Sequence, residues 1–260
     1  MILRNPVRSM LRHFAVNRRL PQIRGLLQRL RPRSSGHPLL RFGPQGDGGY
    51  LLPDDLSGIV ACFSPGVCET SGFELDCASR GMPVYMADAS VSGPAGCSPL
   101  FHFKKKFLGA EDRGDFMTLQ RWVDEALQDR PGDLLLQMDI EGYEYEVLNS
   151  VNESLLQRFR IVIVEFHNLR TILNGRSASW ARIRAAVDRL LVHHTCVHAH
   201  PNNTATIEKA GDVEIPDLME LTFLRTDRSA SWQDWPAFPH PLDCDNDSGR
   251  PTMALPPCWY

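Results

Sequence analysis

The chain has 260 residues, 43% of them hydrophobic and 23% charged. That is enough to bury the core of one large domain or two small ones, and it excludes a wholly disordered protein. Its 28 Lys and Arg against 31 Asp and Glu leave a formal charge of −3, which excludes a globally basic nucleic-acid binder.

That near-balance hides an asymmetry. Ten Arg (4, 8, 12, 18, 19, 24, 29, 31, 33, 41) and no acid precede residue 42, so the other 18 bases face all 31 acids. The seven cysteines, at 62, 68, 77, 97, 196, 244 and 258, are odd in number and contain no C-x-x-C. Such spacing argues against a disulfide framework or a structural zinc site and for reduced thiols in a cytosolic compartment. No apolar run approaches the roughly 18–20 residues of a membrane span, and Arg interrupts any secretory-signal pattern at the N-terminus.

Residues 1–33 read as helix, with breaks expected at Pro6 and Pro21. Leu20, Ile23, Leu26, Leu27 and Leu30 recur at helical spacing, with Arg18, Arg19, Arg24, Arg29 and Arg31 between them. Three readings stay open: a helix laid on the domain with Arg outward, a peripheral contact with anionic membrane, and a transit peptide. The sequence also leaves self-association open. After this segment, short β-rich runs alternate with helices. Strands are expected at 59–63, 83–87, 101–108, 134–138, 161–166, 196–200 and 219–224. Helices are expected at 71–80, 119–127, 143–151 and 180–192. The alternation implies βαβ units and a parallel sheet. No helix separates the last two strands, so five parallel strands and a terminal antiparallel hairpin are expected, the architecture of class I methyltransferases. Residues 1–41 are read as a helical extension, 42–226 as the domain, and 227–260 as an irregular tail packed on it.

In an open parallel sheet, ligands bind beyond the carboxyl ends of the strands. The first strand ends in Ser64-Pro65-Gly66-Val67-Cys68-Glu69, where a small residue lets a ligand approach the backbone. A plain strand–helix turn explains it as well. The second ends in Asp88, placed to accept hydrogen bonds from ribose hydroxyls or to cap the next segment. The fourth ends in Asp139-Ile140-Glu141-Gly142-Tyr143-Glu144-Tyr145-Glu146. The helix dipole accounts for Glu144 and Glu146 but not for Asp139 at the end of an apolar strand. The fifth ends in Glu165-Phe166-His167, whose first and last residues share a face by strand alternation. The sixth ends in His198-Ala199-His200-Pro201-Asn202-Asn203. Asp139, Glu165, His167 and His200 are therefore expected at one mouth, as ligands of a divalent ion, as a general base, or as a metal-free polar rim. Asn202 and Asn203, with Glu220 on the paired strand, suit a polyhydroxylated ligand, and amides there also build turns.

Several of these stretches resemble the FkbM-type methyltransferases: Gly46-Asp47-Gly48-Gly49-Tyr50, the Asp139–Leu148 run, Val164-Glu165-Phe166-His167, His200-Pro201-Asn202-Asn203, residues 216–223 and Pro241-Leu242-Asp243. The resemblance implies a class I, Rossmann-like fold, S-adenosylmethionine as cofactor and methyl transfer to a hydroxyl oxygen of a sugar, glycan or glycosylated metabolite. It implies that Gly66 and Glu69 pass beside the methionine part, that Asp88 holds the ribose, and that Asp47, Gly48, Gly49 and Tyr50 cover the cofactor. Asp139 would lie between cofactor and acceptor. Apart from the resemblance, the residues themselves offer His167 or His200 as base, Asp139, Glu165 and His167 as holders of Mg2+ or Mn2+, and Glu141, Asn202, Asn203 and Glu220 as contacts for the acceptor. The chain departs from the family pattern at Ser64-Pro65-Gly66, where Gly commonly precedes x-Gly. Two other classes stay open: a dinucleotide-dependent oxidoreductase on a similar sheet, and a non-catalytic, membrane-associated module of a glycan synthesis complex.

Overall fold

A computed structural model describes residues 6–67, 70–235 and 237–260, with side chains in the first helix from Phe14 onward. Seven strands form the central sheet: β1 (Ile59–Pro65), β2 (Val84–Ala87), β3 (Phe101–Lys104), β4 (Asp133–Met138), β5 (Phe159–Phe166), β6 (His194–Pro201) and β7 (Met219–Arg225). Their order is β3-β2-β1-β4-β5-β7-β6. β1 to β5 pair in parallel, and β7 lies antiparallel between β5 and β6. The fold is Rossmann-like. Every residue of β5 is buried, and Leu134, Leu135 and Leu136 of β4 are fully so, as a sheet covered on both faces requires.

Helices cover the faces. They are α1 (Pro6–Leu30), α2 (Gly72–Ser79), α3 (Leu119–Leu127), α4 (Glu144–Ser150), α5 (Glu153–Arg158) and α6 (Ser177–His193). α3 shows why the sequence folds this way. Thr118 caps it by accepting from Arg121 N at 3.3 Å, Leu119, Trp122, Val123 and Leu127 form its buried stripe, and it ends at Gln128 in the left-handed region (φ 46°). Trp122 meets Phe63 of β1 edge-on at 5.0 Å between ring centroids.

Two expectations are corrected. The third strand stops at Lys104; beyond it, Phe107–Leu108 pairs instead with Phe116–Met117. The antiparallel terminal pair lies at one end of the sheet as expected, with β7 inserted between β5 and β6. β6 thus runs in the sense of β5, and β7 is the only antiparallel strand among the seven. α1 is not broken at Pro21, which lies inside it. Pro removes one helical N–H, but buried Val16 and Leu20 before it and Ile23, Leu26, Leu27 and Leu30 after it anchor both halves to the core.

The leucine stripe of α1 is therefore spent on the domain. Its arginines meet acids of the body: Arg24 and Asp212 form a two-pronged pair, Arg29 pairs with Asp188, and Arg31 and Arg33 lie beside Asp234. The charge asymmetry of the chain is thus partly an internal pairing. Among the described residues, no helix is long and apolar enough to cross a membrane. Leu27→Ala should cost about 2–5 kcal/mol in a denaturant melt, the range for a buried Leu leaving a cavity. Removal of residues 1–33 should therefore destabilise the domain rather than leave it intact.

The amino ends of the strands carry a structural ion network. Arg160 on β5, 6% exposed, donates to the Asp55 carbonyl (2.9 Å), to Ser57 O (2.7 Å) and to Asp133 Oδ2 (2.7 Å). Arg225 donates to both oxygens of Asp133, and Arg228 to both of Asp55. Burial alone would raise both carboxyls. The hydrogen bonds from Arg228 to Asp55, and from Arg225 and Arg160 to Asp133, outweigh it and hold them below the usual Asp range. Their contribution is complete above the unfolded Asp pKa and is lost as pH falls through the lowered folded values. The melting temperature should accordingly fall on acidification below about pH 5. Asp55→Asn should flatten that fall and cost about 3 kcal/mol at neutral pH by leaving Arg160 and Arg228 underpaired.

Candidate active site

The strand order reverses between β1 and β4, and there the chain opens a cleft of about 600 Å3 beyond the carboxyl ends of the strands. Gly66 and Val67 line it after β1; Asp88, Ser90 and Val91 after β2; and Asp139, Ile140, Glu141 and Tyr143 after β4. Phe107, Leu108 and Phe116 close one side.

Gly66 makes the crossing possible. Its φ is +90°, and a Cβ on it would lie 1.5 Å from Asp139 O. Only glycine lets the β1 and β4 ends pass this close. The backbone hydrogen bonds Gly66 N to Ala87 O (3.0 Å) and Asp139 N to Pro65 O (3.4 Å) tie three strand ends together. Asp88 stands beside it, 9% exposed, with Oδ1 accepting from Ser90 N (2.6 Å) and Ser90 Oγ (2.5 Å). The local-turn role and the place in the cleft therefore coexist. Glu69 lies outside the described residues.

Asp139 and His167 come together as expected, with Glu144 and Glu141 around the ring; the Glu165 carboxyl bonds to Asp139, and only its backbone carbonyl lies near the ring, 3.2 Å from His167 Nδ1. β5 ends at Phe166, so His167 is already in the turn and does not share the strand face of Glu165. His167 Nδ1 lies 3.0 Å from Glu144 Oε1; its Nε2 is 3.4 Å from Glu141 Oε2 and 3.7 Å from Asp139 Oδ1. Two non-glycine residues in the left-handed region flank the cluster, Glu141 (φ 57°) and Asn168 (φ 56°). Glu144 is fully buried and accepts from the backbone N–H groups of Ile140 (3.3 Å) and Gly142 (2.9 Å). Burial would lower the His167 pKa, but the hydrogen bond and charge of Glu144, with Asp139 and Glu141, raise it to about 9. Burial, with Glu141 and Glu144, lifts Asp139 to about 6 against the opposing pull of His167.

Glu165 belongs to a second, buried group behind Asp139. Tyr50 Oη lies 3.4 Å from Asp139 Oδ2 and 3.3 Å from Glu165 Oε2, and Asn202 Nδ2 donates to Glu165 Oε1 at 2.9 Å. Strand register continues the row: Glu165 is paired with Glu220, and Glu220 with His200. Burial raises the Glu220 carboxyl to about 8, with a hydrogen bond from Asn246 (2.6 Å) and the charge of Arg41 opposing. Burial, with Asp139 and Glu220, raises Glu165 well above the usual range. Tyr50 is therefore a buried link between carboxylates rather than a lid on the cleft.

The remaining candidates lie away from the lining of the cleft. Asp47, Gly48 and Gly49 belong to a loop wound on Arg41, which donates to Pro44 O and Gly46 O, both at 2.9 Å. A Cβ on Gly49 would lie 2.1 Å from Pro44 O, which accounts for that glycine locally. Asn202 and Asn203 do not project into an open mouth. They are 2% and 5% exposed; Asn202 Oδ1 accepts from Thr204 N (2.9 Å), and Asn203 exchanges hydrogen bonds with the Asp247 backbone. His200 is buried, its Nδ1 3.8 Å from Asp243, whose Oδ1 accepts from His198 Nε2 at 2.8 Å. The tail is thus no loose end. Gln233–Asp234 pairs with Arg33–Ser34, and Asp243 and Asn246 reach into the strand ends.

Sequence reading missed Glu144, whose position at the start of α4 has a sufficient helix-dipole explanation, and the aromatic side of the cleft. Phe107, Phe116 and Tyr143 form a chain of rings with centroids 5.5 and 5.3 Å apart. The available signal was the aromatic clustering in residues 101–116, which a single long strand seemed to absorb.

No curated protein matches the chain. Residues 86–195, from β2 to the start of β6, match the family model of the methyltransferase FkbM domain, and this stretch carries Asp88, Asp139, Glu141, Glu144 and His167. Residues 86–195, which supply most of the lining of the cleft, are thus similar in sequence to a methyltransferase FkbM domain.

Proposed function

We propose that the protein is an S-adenosylmethionine-dependent O-methyltransferase acting on a hydroxyl of a sugar, glycan or glycosylated metabolite. One observation carries the reading: a single cleft runs from a nucleoside-type acid, Asp88, past the Gly66 crossing to the Asp139–His167 cluster. Its volume of about 600 Å3 suits a cofactor of this size. Gly66 lines the cleft without a side chain, so its backbone is open to a bound ligand.

When bound, S-adenosylmethionine supplies an electrophilic methyl group on a sulfonium. Asp88 would accept from the ribose hydroxyls. Phe107, Leu108, Phe116 and Ile140 offer the apolar faces that suit an adenine ring. Asp139 places negative charge where the cluster meets the cleft. An acceptor hydroxyl must lose a proton as it is methylated, and the Asp139, Glu141 and His167 cluster is the group placed to take it. Glu141, 87% exposed, and Tyr143, 48% exposed, stand at the rim, where a carboxylate and an aromatic face suit a polyhydroxylated ring.

The first test is binding. Asp88→Ala should weaken S-adenosylmethionine affinity by roughly 1.5–3 kcal/mol, the range for hydrogen bonds to a charged group. Calorimetry showing unchanged affinity would remove Asp88 from the ribose role. A chain that binds NAD(P) and not S-adenosylmethionine would overturn the reading altogether.

A further inference from the structure

We infer that His167, Asp139 and Glu141 form a divalent-cation site, with Glu144 as the group that orients the imidazole. Its use in catalysis rests on the methyltransferase reading; its existence does not. Asp139, Glu144 and His167 each bring a ligand atom within 4.8 Å of the others. The finer geometry separates their roles. Glu144 Oε1 sits on His167 Nδ1 at 3.0 Å, which is a hydrogen bond and not a space for an ion. The other ring nitrogen, Nε2, faces Glu141 Oε2 at 3.4 Å and Asp139 Oδ1 at 3.7 Å. An ion bound at about 2.0–2.2 Å from a nitrogen and two carboxylate oxygens holds those donors roughly 3 Å apart. Closing the site would draw the Asp139 and Glu141 carboxylates in toward Nε2.

Glu144 supplies an independent pointer. It is fully buried, its Oε1 is held by two backbone N–H groups, and its Oε2 has no hydrogen-bond partner. A buried carboxylate left short of donors is costly unless positive charge stands next to it. An ion would displace the Nε2 proton that Asp139 and Glu141 face, and Glu144, accepting the Nδ1 proton, would then leave the Nε2 lone pair to the metal, the carboxylate–histidine–metal arrangement. Glu141 holds a left-handed backbone (φ 57°) that carries its exposed side chain back to the ring. Glu165, expected as a ligand from the sequence, is engaged instead by Tyr50 and Asn202. One imidazole with two carboxylates, open on the cleft side, suits Mn2+ or a similar first-row ion with places left for water or a substrate oxygen. In the methyltransferase reading, the ion would hold the acceptor hydroxyl and lower its pKa.

The test uses the full chain, stripped by chelation and titrated with Mn2+ alone, followed by calorimetry and by the paramagnetic resonance signal of free Mn2+. We expect one ion per chain. His167→Gln should abolish binding, and Glu141→Gln, at an exposed position that leaves the fold intact, should weaken it at least about tenfold. Glu165→Gln should leave it near the parent value. Absence of binding at millimolar Mn2+ by a protein that melts normally would overturn the site, as would parent-level binding by both the Glu141→Gln and His167→Gln variants. S-adenosylmethionine titrated into the same samples separates the two readings. Cofactor binding without Mn2+ binding ends the ion site alone, and Mn2+ binding without cofactor binding supports the site while ending the methyltransferase.

Discussion

His167→Gln should reduce methyl transfer by roughly 10²–10⁴-fold, the range for a proton-transfer cluster that loses the cation holding its carboxylates, while S-adenosylmethionine affinity stays near the parent value. The reason is where the side chain lies. His167 is outside the lining of the cleft but behind Asp139 and Glu141, both of which line it. It acts on the reacting end and not on the cofactor. Removing an interaction made only as the acceptor loses its proton lowers kcat with little change in cofactor binding. The measurement is turnover against a screened set of sugar acceptors, with cofactor affinity determined separately. A variant with full kcat would displace His167 from the reaction and return attention to His200, which is buried beneath the tail beside Asp243. Glu144→Gln provides a graded comparison. Gln can still accept through its carbonyl from Ile140 N and Gly142 N, but it loses the charge that sets the state of the imidazole.

Gly66→Ala should be among the most damaging single-methyl additions in the molecule. The added Cβ would lie 1.5 Å from Asp139 O and 2.6 Å from Asp139 C, both backbone atoms without a rotamer to escape through. The φ of +90° adds the strain any L side chain meets there. Relief requires the β1 and β4 ends to separate, which moves Asp139 and widens the cleft at its centre. We expect loss of about 3 kcal/mol or more of stability from strain and overpacking together, and cofactor binding too weak to measure. Gly81→Ala is the matched control. Its φ is +77°, but a Cβ there meets nothing within 4 Å, so it isolates the backbone term at roughly 1–2 kcal/mol. Gly81→Ala should melt lower and bind cofactor normally. Equal behaviour of the two variants would mean that the crossing of the strand ends does not hold the cleft.

Much of the architecture was legible because burial leaves a periodic trace. The apolar runs at 134–138 and 161–166 and the stripes of α3 and α6 follow from what a two-faced parallel sheet and its helices must hide. The rule that ligands meet the carboxyl ends of strands points to Gly66, Asp88, Asp139, Glu165, His167 and His200, and the cleft and its adjoining cluster take up all of these but Glu165 and His200.

Tertiary structure decided which of the polar strand ends meet. Glu165 and His167 part because β5 stops at Phe166 and the next residue turns away; alternation holds only while the strand lasts. Glu144 joins His167 across 23 residues, a contact that no local spacing encodes. Asn203 and His200 are held by Asp247 and Asp243 from a tail that reads as irregular. The leucines of α1 would suit a bilayer or a core equally well, since hydrophobic burial has no direction of its own. By itself, the sequence determined the elements, the sheet type and the short list of reactive residues, because these depend on composition and period along the chain. The grouping of those residues into one cluster with His167 and another with Tyr50 came only with the fold, because it depends on distances between atoms remote in sequence.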